Sequence, residues 1–179
     1  MERSFEAVLV EQCATTLAGV KPASLFRYQG ADRRQSREAA ARWAKELAPY
    51  GITVRILKVC PQTGACLIYL YRAGWLRSIL SEPSTRAFLA GQGYGADQSC
   101  QELLRQLSRR LCLEREFPHE IGVFLGYPLE DVVGLTRTRG RNSPCCGYGK
   151  AYGDPEAAQK RFDQYRRCTA ACCEQFRKG

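Results

Sequence analysis

The stretch TVRILKVCPQTGACLIYLY (residues 53–71) constrains the fold more than any other part of the chain. Two runs rich in β-branched and aromatic residues, 53–59 and 65–71, flank a five-residue connection that holds Pro61 and Gly64. Such side chains suit a pleated, half-buried surface, and Pro and Gly favour a reversal, so the pair is predicted to form an antiparallel hairpin. ASLFRY (23–28) and the segment 146–152 read as further strands.

The rest of the chain has helical periodicity. Phe5, Val8 and Leu9 mark a short amphipathic helix over 3–13, broken by Gly19 and Pro22. Ala39, Ala40, Trp43 and Leu47 share one face of a helix over 36–47, with Ser36 expected as its cap and Pro49 and Gly51 as its stop. Short helices are predicted at 74–81 and 84–90, and a longer one near 98–112, capped by Asp97. GQGYGAD (91–97) reads as a turn rather than a phosphate cradle, because it lacks the GK[ST] ending. Two helical turns over 117–135 join at Gly126–Tyr127, with Pro128 expected at the first position of the second. A final helix starts at Asp154–Pro155 and runs to about residue 176. The predicted class is α+β: a small, mainly antiparallel sheet covered by several helices, with a long C-terminal helix. At 179 residues the chain suits a single domain spanning 1–179.

The formal charge is +9, carried by 21 Arg and 6 Lys. Acidic residues interleave with each arginine run, so solvated helix faces account for the charge. An adaptor for nucleic acid or for a partner protein would rest on charge alone. No apolar run approaches the ~18–20 residues of a membrane span. The opening MERSFEAVLVEQC carries Glu2, Glu6 and Glu11, unlike a secretory leader. A cytoplasmic protein is therefore expected, in which the ten cysteines stay free, bind metal or do redox work.

Half of those cysteines lie in the last 35 residues. A straight strand from Cys145 to Tyr152 would cover ~23 Å. A helix returning along it at 1.5 Å per residue would draw level with Cys145 after about 15 residues, near Cys168. Cys168 and Cys172 share a helix face at i, i+4. Cys145, Cys146, Cys168 and Cys172, with Cys173 as a further candidate, are thus expected to hold zinc, an iron–sulfur cluster or another soft metal. Thiol redox chemistry near Arg166, Arg167 and Lys150 is the sibling reading, served by a redox or metal-handling partner protein, and buried structural thiols are the plainer one. Cys60 and Cys66 flank the hairpin connection, a spacing expected to bring two structural thiols within reach of each other.

His119 is the only histidine. In FPHE it precedes Glu120, and the zinc-protease pattern H-E-x-x-H is absent. It reads as a residue that packs a turn, as a general acid or base, or as a further metal ligand. Glu130 and Asp131 favour the positive end of the helix at Pro128.

Three stretches, CATTLAGVKPASLF (13–26), FPHEIGVFLGYPLEDVVGL (117–135) and CCGYGKAYGDPEAAQKRFDQYRRC (145–168), together resemble a family of bacterial proteins, the domain of unknown function 3793 family. Length and motif order agree over nearly the whole chain. The resemblance implies that the regions Cys13–Lys21, His119–Asp131 and Cys145–Cys168 are the recognisable ones, and it implies no reaction. The leading expectation is metal or redox homeostasis through the C-terminal thiols. The alternative is a small-molecule enzyme whose pocket gathers Lys21, His119, Glu120 and Tyr127.

Overall fold

A computed structural model describes residues 3–114, 117–138, 145–146, 150–151 and 155–179; for 137–138, 145–146, 150–151 and 155 the description is of the backbone. The chain divides into two compact units, one of residues 1–75 with 168–179 and the other of residues 76–167.

In the first unit, helix α1 (Phe5–Leu17) starts at Ser4, whose hydroxyl oxygen accepts the Ala7 amide at 3.1 Å. It runs past the expected end at residue 13, through β-branched Thr15 and Thr16. Arg72 holds that last turn, donating from Nε to the Thr16 carbonyl at 2.9 Å and from Nη2 to that of Leu17 at 3.0 Å. These are carbonyls that the helix itself cannot satisfy, and tertiary contact here overrides propensity. Strand β1 (Ala23–Tyr28) leads to α2 (Arg33–Leu47), a 3-10 turn (Ala48–Tyr50), β2 (Ile52–Val59) and β3 (Cys66–Arg72). The cap of α2 is Asp32, not Ser36: the Asp32 carboxylate accepts the Gln35 amide at 2.7 Å, while Ser36 is buried one turn in. Aspartate caps as well as serine, and Arg33, Arg34 and Gln35 are good helix formers, so the helix starts three residues early.

The expected hairpin is present. β3 lies between β1 and β2 and is antiparallel to both, so β1–α2–β2 is a split βαβ unit with β3 in its gap. Leu57 is inserted as a bulge between Ile56, opposite Ile68, and Lys58, opposite Leu67. Cys66, Ile68 and Leu70 pack with Phe26, Tyr28 and Val54 against Phe5 and Leu9 of α1 and Ala39 and Ala40 of α2. On the opposite face Tyr69 and Tyr71 are also buried, their rings stacked at 4.8 Å. Burial on both faces explains the nearly unbroken apolar run of β3.

The hairpin corrects one expectation. Cys66 sits opposite Val59 and points into the core, whereas the Cys60 amide continues the ladder by donating to the Ala65 carbonyl at 2.8 Å. Successive positions alternate faces, so the two thiols point to opposite sides, and both are free.

The second unit holds most of α3 (Ala73–Ser81), then α4 (Pro83–Gly91), α5 (Cys100–Leu113), α6 (Ile121–Phe124), α7 (Leu129–Thr138), the two-residue strands β4 (Cys145–Cys146) and β5 (Lys150–Ala151), and the first part of α8 (Pro155–Arg177). Ser99 caps α5 by accepting the Glu102 amide at 3.2 Å, in place of Asp97. Ser99 and Glu102 have the S-x-x-E spacing of a capping box. Pro128 lies one position before its expected place, its carbonyl accepting the Val132 amide at 3.2 Å. Leu103, Leu104, Leu107 and Leu111 form the buried stripe of α5, and Phe124, Val132, Ala158, Phe162 and Tyr165 complete this core.

Cys145 pairs with Ala151, and Cys146 with Lys150, in an antiparallel ladder of their own. The chain therefore reverses where one straight strand over 146–152 was expected, and residues 147–149 and 152 lie outside the described residues. The long C-terminal helix is as expected. No helix among the described residues is long and apolar enough to cross a membrane.

Candidate functional site

FPHE builds a tight turn. The carbonyls of Pro118, His119 and Glu120 accept in succession from Ile121, Gly122 and Val123, at 3.2, 3.3 and 3.0 Å, and so wind the chain into α6. The turn leaves His119 half-buried and Glu120 only 3% exposed.

A carboxylate so deeply buried requires compensation. Oε1 of Glu120 accepts Nη1 of Arg110 at 2.7 Å and the Tyr94 hydroxyl at 3.1 Å. The Arg110 guanidinium also donates to the Gln92 carbonyl and lies 4.4 Å over the Tyr94 ring. Burial first, and then the Glu120 charge, pushes the Tyr94 phenol up, so it stays a neutral donor. Gly93 makes the arrangement feasible: its φ is +94°, and a Cβ there would fall 2.6 Å from Arg110 Nη2.

Two cavities adjoin this turn. One of about 160 Å³ is mostly apolar, with Phe117, His119, Ile121, Tyr127, Val132 and Leu135 in its wall. The other, a polar groove of about 540 Å³ that is largely open to solvent, meets Gln92, Arg110, Glu114, His119, Glu120 and Thr136. His119 lines both, as do Phe117 and Pro118. The His119 ring has no hydrogen-bond partner among the described residues. Gly122 lets α6 approach α7, since a Cβ there would stand 2.9 Å from Val132 Cγ2. Asp131, expected only to favour a helix end, is buried and pairs with Arg161 Nη2 at 3.4 Å.

Three of the four proposed pocket residues, His119, Glu120 and Tyr127, thus line adjacent cavities of the second unit. Lys21 lines neither and belongs to the first unit. There it is buried beside Cys13, which in turn meets Ser24, whose hydroxyl lies 2.7 Å from that of Thr16. Burial brings the Lys21 ammonium down to about 8, with the Cys13 thiol opposing, and burial pushes that thiol up.

Cys168 and Cys172 do share a face: their Sγ atoms lie 3.7 and 3.9 Å from the Ala14 carbonyl oxygen. Burial first, and then Cys172, raises the Cys168 thiol. Cys173 is half-buried, and the side chains of Cys145 and Cys146 lie outside the described residues. A structural zinc takes four ligands, and among the described residues no three His, Cys, Asp or Glu side chains gather to hold a metal.

Sequence reasoning missed Arg110, Tyr94 and Arg161. For Arg110 a signal existed: it lies seven residues after Leu103 and three after Leu107, on the buried stripe of α5. Tyr94 and Arg161 reach their partners across 26 and 30 residues, a separation that no local pattern encodes.

Fold and cavities define a small α+β protein with a mixed apolar and polar pocket in its helical unit. Residues 9–179 match the family described as Protein of unknown function (DUF3793), and the chain belongs to that family. No curated protein and no solved structure matches it.

Proposed function

We propose that this protein binds a small organic molecule at His119. The apolar part of the ligand enters the cavity lined by Tyr127, Val132 and Leu135, and its polar part faces Glu120 and Glu114. The observation that carries this reading is His119, which lines both cavities and whose ring has no hydrogen-bond partner among the described residues. Concave sites of this kind, with an apolar wall and a few converging polar groups, are the usual form of small-molecule pockets. His119 is the group best suited to exchange a proton with the ligand, since its ring lacks a partner among the described residues while Oε1 of Glu120 is committed to Arg110 and Tyr94. Free thiols fit a reducing, cytoplasmic setting. The test is thermal unfolding with benzyl alcohol. The wild type should gain stability as the alcohol is added, and Leu135→Trp, which fills the cavity, should gain none.

A second reading keeps the C-terminal thiols as a soft-metal or redox site with Cys145 and Cys146. It rests on Cys168 and Cys172 sharing one face of α8 beside the Ala14 carbonyl. Metal and acid-labile sulfide in anaerobically purified protein, set beside Cys168→Ser/Cys172→Ser, test it. About one equivalent of zinc or iron lost in the variant would support the reading. Part of the basic charge is taken up within the fold, where Arg3, Arg34, Arg42, Arg110, Arg161 and Arg166 each pair with a carboxylate.

A further inference from the structure

The charges around the polar cavity are unevenly available to a ligand. Arg110 is its one cation among the described residues, and that cation is already spent on Glu120, on the Gln92 carbonyl and on the Tyr94 ring. The Thr136 hydroxyl donates to the Val132 carbonyl at 2.9 Å. On the acceptor side, both hydrogen bonds to the Glu120 carboxylate among the described residues fall on Oε1, which leaves Oε2 for an occupant. Glu114 is exposed, lines the cavity, and has no ion-pair partner among the described residues. Of the lining residues that carry a fixed charge, Glu114 and Glu120 outnumber Arg110 by one. Among the described residues a carboxylate or phosphate head would meet two carboxylates and no free cation, whereas a head that donates hydrogen bonds and carries positive charge would satisfy both.

The apolar neighbour sets the size of the rest. An apolar cavity of roughly 150 Å³ admits benzene, and the one beside His119 is about 160 Å³. Because Phe117, Pro118 and His119 line both cavities, a molecule reaching from one to the other passes these residues.

From this geometry we infer that the ligand is an arylalkylamine-sized primary amine, with its ring among Ile121, Tyr127, Val132 and Leu135 and its ammonium at Glu120 and Glu114. The inference rests on the binding reading above and adds the chemical class of the ligand.

Calorimetric titration of the full chain with three probes of one shape tests it: 2-phenylethylamine, 2-phenylethanol and 3-phenylpropionate, at neutral pH and moderate salt. The amine should bind at least about tenfold more tightly than the alcohol, as expected for a charge-assisted hydrogen bond, and the carboxylate most weakly. Glu114→Gln, an exposed change that leaves the core intact, should narrow the gap between amine and alcohol by several-fold. Leu135→Trp should remove binding of every probe. Phe117→Ala, at an exposed residue shared by both cavities, should weaken every probe and stands in if the tryptophan variant does not fold. If the alcohol or the carboxylate matches or exceeds the amine while Leu135→Trp or Phe117→Ala still weakens binding, the amine inference is overturned and the pocket reading stands. If no probe binds, or neither variant weakens binding, both are overturned.

Discussion

Arg110 and Glu120 meet at 2.7 Å beneath the cavity that His119 lines, and the Tyr94 hydroxyl shares the same carboxylate oxygen. Both residues of the pair line the polar cavity. Removing one partner of a buried pair strands the other. Arg110→Met should therefore cost about 3–5 kcal/mol in urea unfolding, and the double variant Arg110→Met/Glu120→Gln should recover part of that loss. A cost below about 1 kcal/mol for the single variant would match a solvent-screened surface pair instead.

The buried lysine makes stability depend on pH in a defined direction. Lys21 sits at about 8 in the folded chain against 10.5 unfolded. Between those values the unfolded state binds the extra proton, so Lys21 makes stability rise with pH. Below pH 8 its desolvation cost is fully present, and above 10.5 it is gone. The interval is worth about 3 kcal/mol. Cys13 acts oppositely: its thiol is raised by burial, so stability falls as pH rises above the ordinary thiol value. The difference between wild type and Lys21→Met isolates the lysine. The variant should be the more stable near neutral pH, and the gap should close between pH 8 and 10.5. A gap that is flat across that range would contradict a desolvated Lys21.

Gly122 joins α6 to α7 by leaving space for Val132. A methyl group there meets a branched side chain that is itself buried, so Gly122→Ala should cost about 1–3 kcal/mol by overpacking and reduce the apolar cavity. Chemical denaturation measures the first effect and benzyl alcohol binding the second. A neutral or stabilising alanine would contradict the close approach of the two helices.

The hairpin thiol should be the most reactive of the described cysteines. Cys60 lies at about 7, held down first by the Thr63 side chain and then by the backbone amides of Thr63 and Gln62, with Arg27 adding a smaller effect. Cys13 and Cys66 are buried and pushed the other way. Iodoacetamide at pH 7 followed by peptide mass mapping should label Cys60 well before either, with a rate that rises to half its maximum near pH 7. Equal labelling of Cys60 and Cys66 would contradict the opposite facing of the two positions.

What the sequence makes legible here are the features written in neighbouring residues. The β-branched runs around CPQTG specify the hairpin, and the apolar spacing of Leu103, Leu107 and Leu111 specifies α5. Caps are less legible, because Asp32 competes with Ser36 and Ser99 with Asp97 within a few residues, and the backbone settles which side chain meets an orphan amide. His119, Glu120 and Tyr127 stood out as candidates from their chemistry. Their true companions did not, because Arg110 looked like one of several solvated arginines. Lys21 was grouped with His119 by residue type, whereas the turn after α1 sets it beside Cys13. Cys145 was expected level with Cys168 by extrapolating a straight strand, and the pairing of Cys145 with Ala151 removes that straight segment.

The central claim is that a ligand sits against His119, and the chain's one histidine makes that directly observable. The imidazole proton resonances can be followed during titration with 2-phenylethylamine without any further assignment. The account predicts a saturable shift of the His119 signals in the wild type that is absent in Leu135→Trp. Signals that stay fixed while calorimetry reports binding, or that shift equally in the filled variant, would place the ligand elsewhere and contradict the account.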